Sequence, residues 1–366
     1  MRHPFHDPGL SAKQIKKLVR QLGPIMSLSE RQVLALVPVQ TSVRSTGCPN
    51  CANRSSARDG FIWSVDAPDR IACRFCGHVY PSQRYPMDHT ETVRNPLGEQ
   101  VTVRFHVSDE GERCYFEGVI WHYRRLWLID QAHALAKVYH VTRQPQYARR
   151  AALIIDRFAQ VYPGYCVVTR KHQPGRGPLV RYTSHPKTHG YGYRWSWYST
   201  EVPRTLPLAY DLIYACPELD KLSKELGTDV RSRIAGFFRE AVEYAKSFLE
   251  KEKYRQGNLA GYGVMGIVRI GRCLDEPTYI HWAYAWVRDM LDQRFWFDGM
   301  WPEAPSYHRQ TVQQIDQILE ALTGYSDPPG YHSADGSRFD NLDPAKALPF
   351  LSTVRPAPAA MAFPDG

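Results

Sequence analysis

The sequence predicts a mainly α protein, a body of paired helices of the α/α toroid or solenoid kind preceded by a small cysteine-bearing module. Three observations predict it. Apolar residues recur at helical spacing from Trp121 to Thr323. Two Cys-x-x-Cys pairs, Cys48/Cys51 and Cys73/Cys76, stand ahead of that body. The composition is that of a globular chain, with 43% hydrophobic and 12% aromatic residues among 366. No run of roughly 18 apolar residues occurs, so no membrane span is expected. The expected divisions are an N-terminal helical segment over 1–40, the cysteine module over 41–110, the helical body over 111–325 and a linker over 326–366.

The cysteine module comes first. Cys48-Pro-Asn-Cys51 and Cys73-Arg-Phe-Cys76 offer four thiolates in two knuckles. That donor set suits tetrahedral Zn²⁺, with sulfur at ~2.3 Å. Sulfur would fill every position and leave none for water, so the zinc is expected to be structural. Disulfides or a redox pair use the same spacing. Cys114, Cys166, Cys216 and Cys273 are scattered and read as packing residues. The surroundings of the ribbon are not strongly basic, and no recognition helix follows it. Residues 85–107 read as a polar, short-stranded connection.

The helices follow. Leu128, Ala132, Leu135, Ala136 and Tyr139 lie at i, i+4, i+7, i+8 and i+11, and Tyr147, Ala151, Ile154, Ile155 and Phe158 repeat that spacing. Thr228 reads as an N-cap with Asp229 in the first turn, ahead of a stripe from Val230 to Phe248. Further stripes run from Ile280 to Leu291 and from Val312 to Leu322. Helical candidates lie near 201–215 and 258–271, making about seven helices in all. No fixed period is visible, which argues against a regular repeat array.

The charge has an address. Lys and Arg number 46 against 37 Asp and Glu, a formal +9. From Arg157 to Thr200 there is no acidic residue, while Arg157, Arg170, Lys171, Arg176, Arg181, Lys187 and Arg194 are all present. Gly and Pro interrupt this stretch, so much of it reads as a long loop. It ends in Tyr191, Tyr193, Trp195, Trp197 and Tyr198. Cations beside rings suit a polyanion with flat faces, a nucleic acid strand or an acidic polysaccharide; a solvated basic loop would look the same.

Three segments could carry chemistry. Gln256-Gly257-Asn258-Leu259 opens an apolar helix, where free N–H groups favour an anion. Asn258 there reads as an N-cap or as a carboxylate holder. Phe297 to Arg309 is a loop between two helices, dense in Asp298, Trp301, Glu303, Tyr307, His308 and Arg309. His189 to Trp195 closes the basic stretch.

These segments resemble the heparinase II/III-like polysaccharide lyases. The resemblance rests on the Asn of Gln256-Gly257-Asn258 and on the loop from Phe297 through Glu303 to Tyr307 and His308, and it spans roughly residues 120–366. It implies an (α/α) toroid followed by antiparallel β-sheet domains. It also implies β-elimination at a uronic acid of an acidic polysaccharide, in the periplasm or outside the cell. A carboxylate must be neutralised, a C5 proton removed and the leaving oxygen protonated. By the motif, Tyr307 is base, acid or both, and Asn258 holds the carboxylate; His189 or Arg194 would assist. Arg194, Tyr193, Trp195, Trp197, Trp301, Glu303, His308 and Arg309 are the substrate-binding candidates, with Glu303 and Asp298 expected to orient the loop. Two features depart from the family. Leu259 stands where many members carry a His, and the chain ends before the β-sheet domains, so an incomplete toroid is expected. The start, Met1-Arg-His-Pro-Phe-His, carries no apolar signal-peptide region. Two other readings use the same residues: a glycoside hydrolase with Asp298 and Glu303 as its carboxylate pair, and a non-enzymatic polyanion binder. With no basic recognition element beside the ribbon, uronate polymers are favoured over nucleic acid as partner.

Overall fold

A computed structural model describes residues 4–43, 46–51, 60–172, 178–183, 192–193, 205–250 and 256–361. The chain divides into two compact units, Met1–Ser199 with Ala209–Phe237, and Thr200–Leu208 with Phe238–Gly366. The protein is mainly α, as expected, with three small antiparallel sheets among the described residues.

The first unit opens with α1 (Ala12–Gln21), α2 (Gly23–Ser27) and α3 (Glu30–Leu36). Capping boxes start α1 and α3: Ser11 and Gln14 in one, Ser29 and Gln32 in the other, exchange side-chain and backbone bonds. A first sheet joins β1 (Phe61–Ile62), β2 (Ile71–Cys73) and β3 (Val79–Tyr80); a second joins β4 (His89–Arg94), β5 (Gln100–Val107) and β6 (Arg113–Cys114).

The long helix α4 (Phe116–Thr142) and α5 (Pro145–Val161) then form a hairpin. Arg143 in the left-handed region ends α4, and Pro145 in the first turn begins α5. All ten residues of the two stripes read from the sequence are buried here. Gly118 of α4 lies under the Val43 carbonyl, and a Cβ there would stand 2.0 Å from that oxygen. Only glycine lets the two backbones approach so closely.

The acid-free basic stretch is a correction. Where a loop was expected, the backbone forms β7 (Val167–His172), β8 (Pro178–Thr183) and β9 (Gly192–Tyr193), in the order β8-β7-β9. Val167-Val168-Thr169 and Leu179-Val180 are strand formers, and they outweigh the Gly and Pro between them. Then come α6 (Leu206–Ile213), α7 (Pro217–Leu226) and α8 (Val230–Leu249). Asp229, and not Thr228, caps α8: its carboxylate accepts the Ser232 N–H at 3.1 Å and the Ser232 hydroxyl at 2.6 Å. The Thr228 N–H instead bonds Ser223 O, completing the end of α7 at left-handed Gly227.

The second unit is built on α9 (Gly261–Leu274), α10 (Pro277–Arg294) and α11 (Pro305–Leu322), with α9 packed on both others. Asp275 in the left-handed region and Pro277 repeat the helix-to-helix link seen between α4 and α5. The segment expected as a linker is folded. It carries α12 (Pro344–Ala347) and α13 (Leu351–Val354), buries Leu342, Leu348, Leu351 and Val354, and ties Arg355 to Asp316 of α11 at 2.7 Å. Among the described residues, no helix is long and apolar enough to cross a membrane.

Candidate active site and metal centre

The segment between α10 and α11 is held by a network of local bonds. Trp296 and Gly299 make a tight turn, with Trp296 N–H donating to Met300 O and Gly299 N–H to Trp296 O. Gly299 has φ +85°, and a Cβ on it would meet the Thr353 carbonyl oxygen at 2.7 Å. The turn therefore rests on the backbone of α13. The Asp298 carboxylate accepts the Met300 N–H at 2.9 Å, and the Glu303 carboxylate accepts the Trp301 indole N–H at 2.6 Å. Each carboxylate thus bonds a group within its own loop.

Two expected ligand contacts are buried. Trp301 is 2% exposed, its indole edge-on to Phe295 and under the Arg294 guanidinium. His308 is 1% exposed. Its Nδ1 accepts the Trp301 N–H at 3.1 Å, so its Nε2 donates to Val354 O at 3.0 Å. Burial pushes the pKa of His308 down, partly countered by the Val354 bond. Both residues therefore pin the loop to the tail, because the apolar contacts of Phe295 draw them inward. Arg309 is exposed, but two residues along a helix turn it about 200° away from Tyr307.

Tyr307 is placed differently. It lies in the first turn of α11 rather than in the loop, 45% exposed. Trp296 at 57% and Phe297 at 95% are exposed on the adjacent turn, where the sequence offered no means of telling outward rings from buried ones. Seven residues after Tyr307, within about 20° around the helix and about 10 Å along it, is Gln314. The buried Gln314 amide donates to Asn258 O at 2.6 Å. Asn258 sits in the turn before α9, not at its N-cap, which is Ala260. Gly257 and the Asn258 turn delay the helix by three residues. The Gln314 Oε1 and Thr311 Oγ1 atoms are buried without a hydrogen-bond partner among the described residues. Tyr307, Thr311 and Gln314 thus share one stripe of α11, next to the Asn258 turn. Sequence reasoning missed Thr311 and Gln314; their i+4 and i+7 spacing from Tyr307 was the available signal.

His189, Arg194, Trp195 and Trp197 lie outside the described residues. Tyr193 is in β9, where the backbone alone is described.

The four cysteines of the first unit converge. All four Sγ atoms lie within 4.8 Å of one another, with Cys48 to Cys76 at 3.6 Å and Cys51 to Cys73 at 3.8 Å. Four sulfurs at ~2.3 Å from a tetrahedral centre stand about 3.8 Å apart, so the set fits a metal ion. The β1–β2–β3 sheet positions the knuckles, and the Tyr80 hydroxyl lies 2.9 Å from Cys48 Sγ. The sheet also docks on α4: the Tyr123 hydroxyl donates to Phe61 O, and Arg124 binds Pro68 O and the Asp69 carboxylate. Cys114, Cys166, Cys216 and Cys273 are buried packing residues, as expected.

No family model matches the chain, and no curated protein matches its sequence. Among solved structures, it is similar to alginate lyase A1-III from Sphingomonas species A1, at 15% sequence identity and a TM-score of 0.41. The match covers 67% of this chain and 62% of that one, so the chain spans about three fifths of the length of that structure. A likeness of this size bears on neither activity nor substrate.

Proposed function

We propose that the protein is a polysaccharide lyase acting on a uronic-acid-containing acidic polymer by β-elimination. The observation that carries this reading is the stripe on α11 that places an exposed Tyr307 phenol on the side of the helix that holds Asn258. In the reaction, the Asn258 amide hydrogen-bonds the uronate carboxylate and makes the C5 proton more acidic. Tyr307 takes that proton as phenolate; the C5 electrons form the C4–C5 double bond and the C4–O bond breaks. The leaving oxygen receives a proton from the resulting Tyr307 phenol, which regenerates the phenolate. His189 and Arg194 are proposed as assisting groups and Trp195, Trp197 and Tyr193 as sugar contacts, by the family resemblance.

We further propose that Cys48, Cys51, Cys73 and Cys76 hold Zn²⁺. When bound it supplies structural cross-linking and no open coordination position. The cysteines fix the ribbon and take no part in elimination.

The test follows ultraviolet absorbance of the unsaturated uronate with polymannuronate, polyguluronate, polygalacturonate and glucuronate-containing glycosaminoglycans. Absorbance is expected to rise with at least one polymer and to be lost in Tyr307→Phe with the fold intact. No rise with any of them, or full activity in Tyr307→Phe, overturns the assignment.

A further inference from the structure

A second cleft lies at the other end of α10. Arg288, the last cleft residue along α10, precedes Arg294 by six residues, a rise of about 9 Å, and none of the lining residues belongs to the 296–303 loop or to α11. One wall is the face of α10 that carries His281, Tyr284 and Arg288. The other is the 331–339 loop, with Tyr331, Asp335 and Phe339.

A buried carboxylate organises it. The Asp327 side chain is fully buried, and its Oδ2 accepts the Phe339 N–H at 2.6 Å and His281 Nε2 at 2.9 Å. Nε2 is therefore the donor, which leaves Nδ1 of His281 as an acceptor with no hydrogen bond among the described residues. The imidazole stacks on Phe339 at 4.1 Å and lies 5.5 Å from the Tyr331 ring. Arg338 secures the loop from behind by donating to the carbonyls of Asp327, Pro328 and Tyr331. Asp335 is held by Ser333 and Ser337, which keep its carboxyl well below the usual range and so ionised.

The cleft thus joins half-buried rings to planar polar groups on a rigid frame. The Arg288 guanidinium pairs with Asp289 at 3.2 Å, and the Asp335 carboxylate is engaged by Ser333 and Ser337, so neither charge stands bare in the cleft. Burying a carboxylate is expensive, and here its effect is to fix one imidazole tautomer at a cleft wall. Flat rings cover the apolar face of a sugar, and planar polar side chains hydrogen-bond adjacent hydroxyls. We infer that this cleft is a saccharide-binding site for an uncharged sugar unit, with His281 Nδ1 accepting a sugar hydroxyl and the Tyr331 ring stacking on the sugar face. It is a binding site separate from the proposed elimination centre and does not depend on that reading.

The test is saturation-transfer NMR of the full chain with neutral trisaccharides of glucose, mannose and galactose, and with hexuronate trisaccharides, at millimolar concentration. Transfer is expected from at least one neutral sugar. Arg288→Ala and Tyr331→Ala, neither of which removes a side-chain hydrogen bond to Asp327, are each expected to weaken it at least tenfold without changing thermal unfolding. Tyr307→Phe is expected to leave the binding unchanged, whatever it does to elimination. No transfer from any neutral sugar, transfer from hexuronates alone, or equal binding in both cleft variants overturns the inference.

Discussion

The Gln314 side-chain amide donates to the Asn258 carbonyl oxygen at 2.6 Å and to Gln310 O at 3.2 Å. One buried amide thereby fastens the turn before α9 to the stripe of α11 that begins at Tyr307. Gly261 makes room for it, since a Cβ there would stand 2.7 Å from Cβ of Gln314. Gln314→Leu keeps the bulk and removes the donor, leaving the Asn258 carbonyl without it. Chemical denaturation is expected to show a loss of about 1–3 kcal/mol, and an unchanged midpoint would mean that the bond contributes nothing.

Gly299→Ala is expected to be costly for two separate reasons. The residue holds φ +85°, and its Cβ would collide with the Thr353 carbonyl. A left-handed non-glycine residue costs about 1 kcal/mol or more before any clash is counted. A drop of about 2 kcal/mol or more in unfolding free energy is expected, with Gly324→Ala as a control, since that position is also left-handed but has only a 3.8 Å contact.

His308 makes stability depend on pH. Burial lowers its folded pKa below the ordinary ~6.5. In the window beneath ~6.5 the unfolded chain binds the proton and the folded chain does not, so stability rises with pH there and falls as the solution is acidified. The slope from this one group is at most about 1.4 kcal/mol per pH unit. Unfolding midpoints between pH 7.5 and 5.5 are expected to fall more in the wild type than in His308→Gln; equal falls would remove His308 as the cause.

Metal analysis is expected to return one ion per chain, and cobalt substitution the visible absorption of a tetrahedral thiolate site. Cys76→Ser is expected to lower both occupancy and the thermal stability of the first unit, because the ribbon is bonded to α4 through Tyr123 and Arg124. Full stability in a metal-free protein would show that the ribbon stands without it.

Much of the helical body was legible because its periodic residues face the core. Leu128, Ala132, Ile154 and Phe158 sit where their spacing puts them, all buried. The cysteine knuckles were legible for a similar reason, since spacing within a Cys-x-x-Cys pair is a local property. What escaped was long-range. Trp301 and His308 look like exposed site residues in the sequence, and the tail at Val354 and the ring of Phe295 bury them. Thr311 and Gln314 are polar and so read as surface, although both are buried, Gln314 against Gly261 of α9. Gly and Pro between Val167–Thr169 and Leu179–Val180 read as a loop, whereas the antiparallel pairing of β7 with β8 is a long-range property that spacing does not carry.

The perch of Gly299 on Thr353, together with the His308 bond to Val354, makes the last short helix the anvil on which the Tyr307 turn is shaped. A chain cut a few residues ahead of α13 would retain every candidate reacting group and lose their setting. In an activity screen such a truncation would mimic a lesion at the reacting groups themselves, although Tyr307 lies about forty residues from the true break.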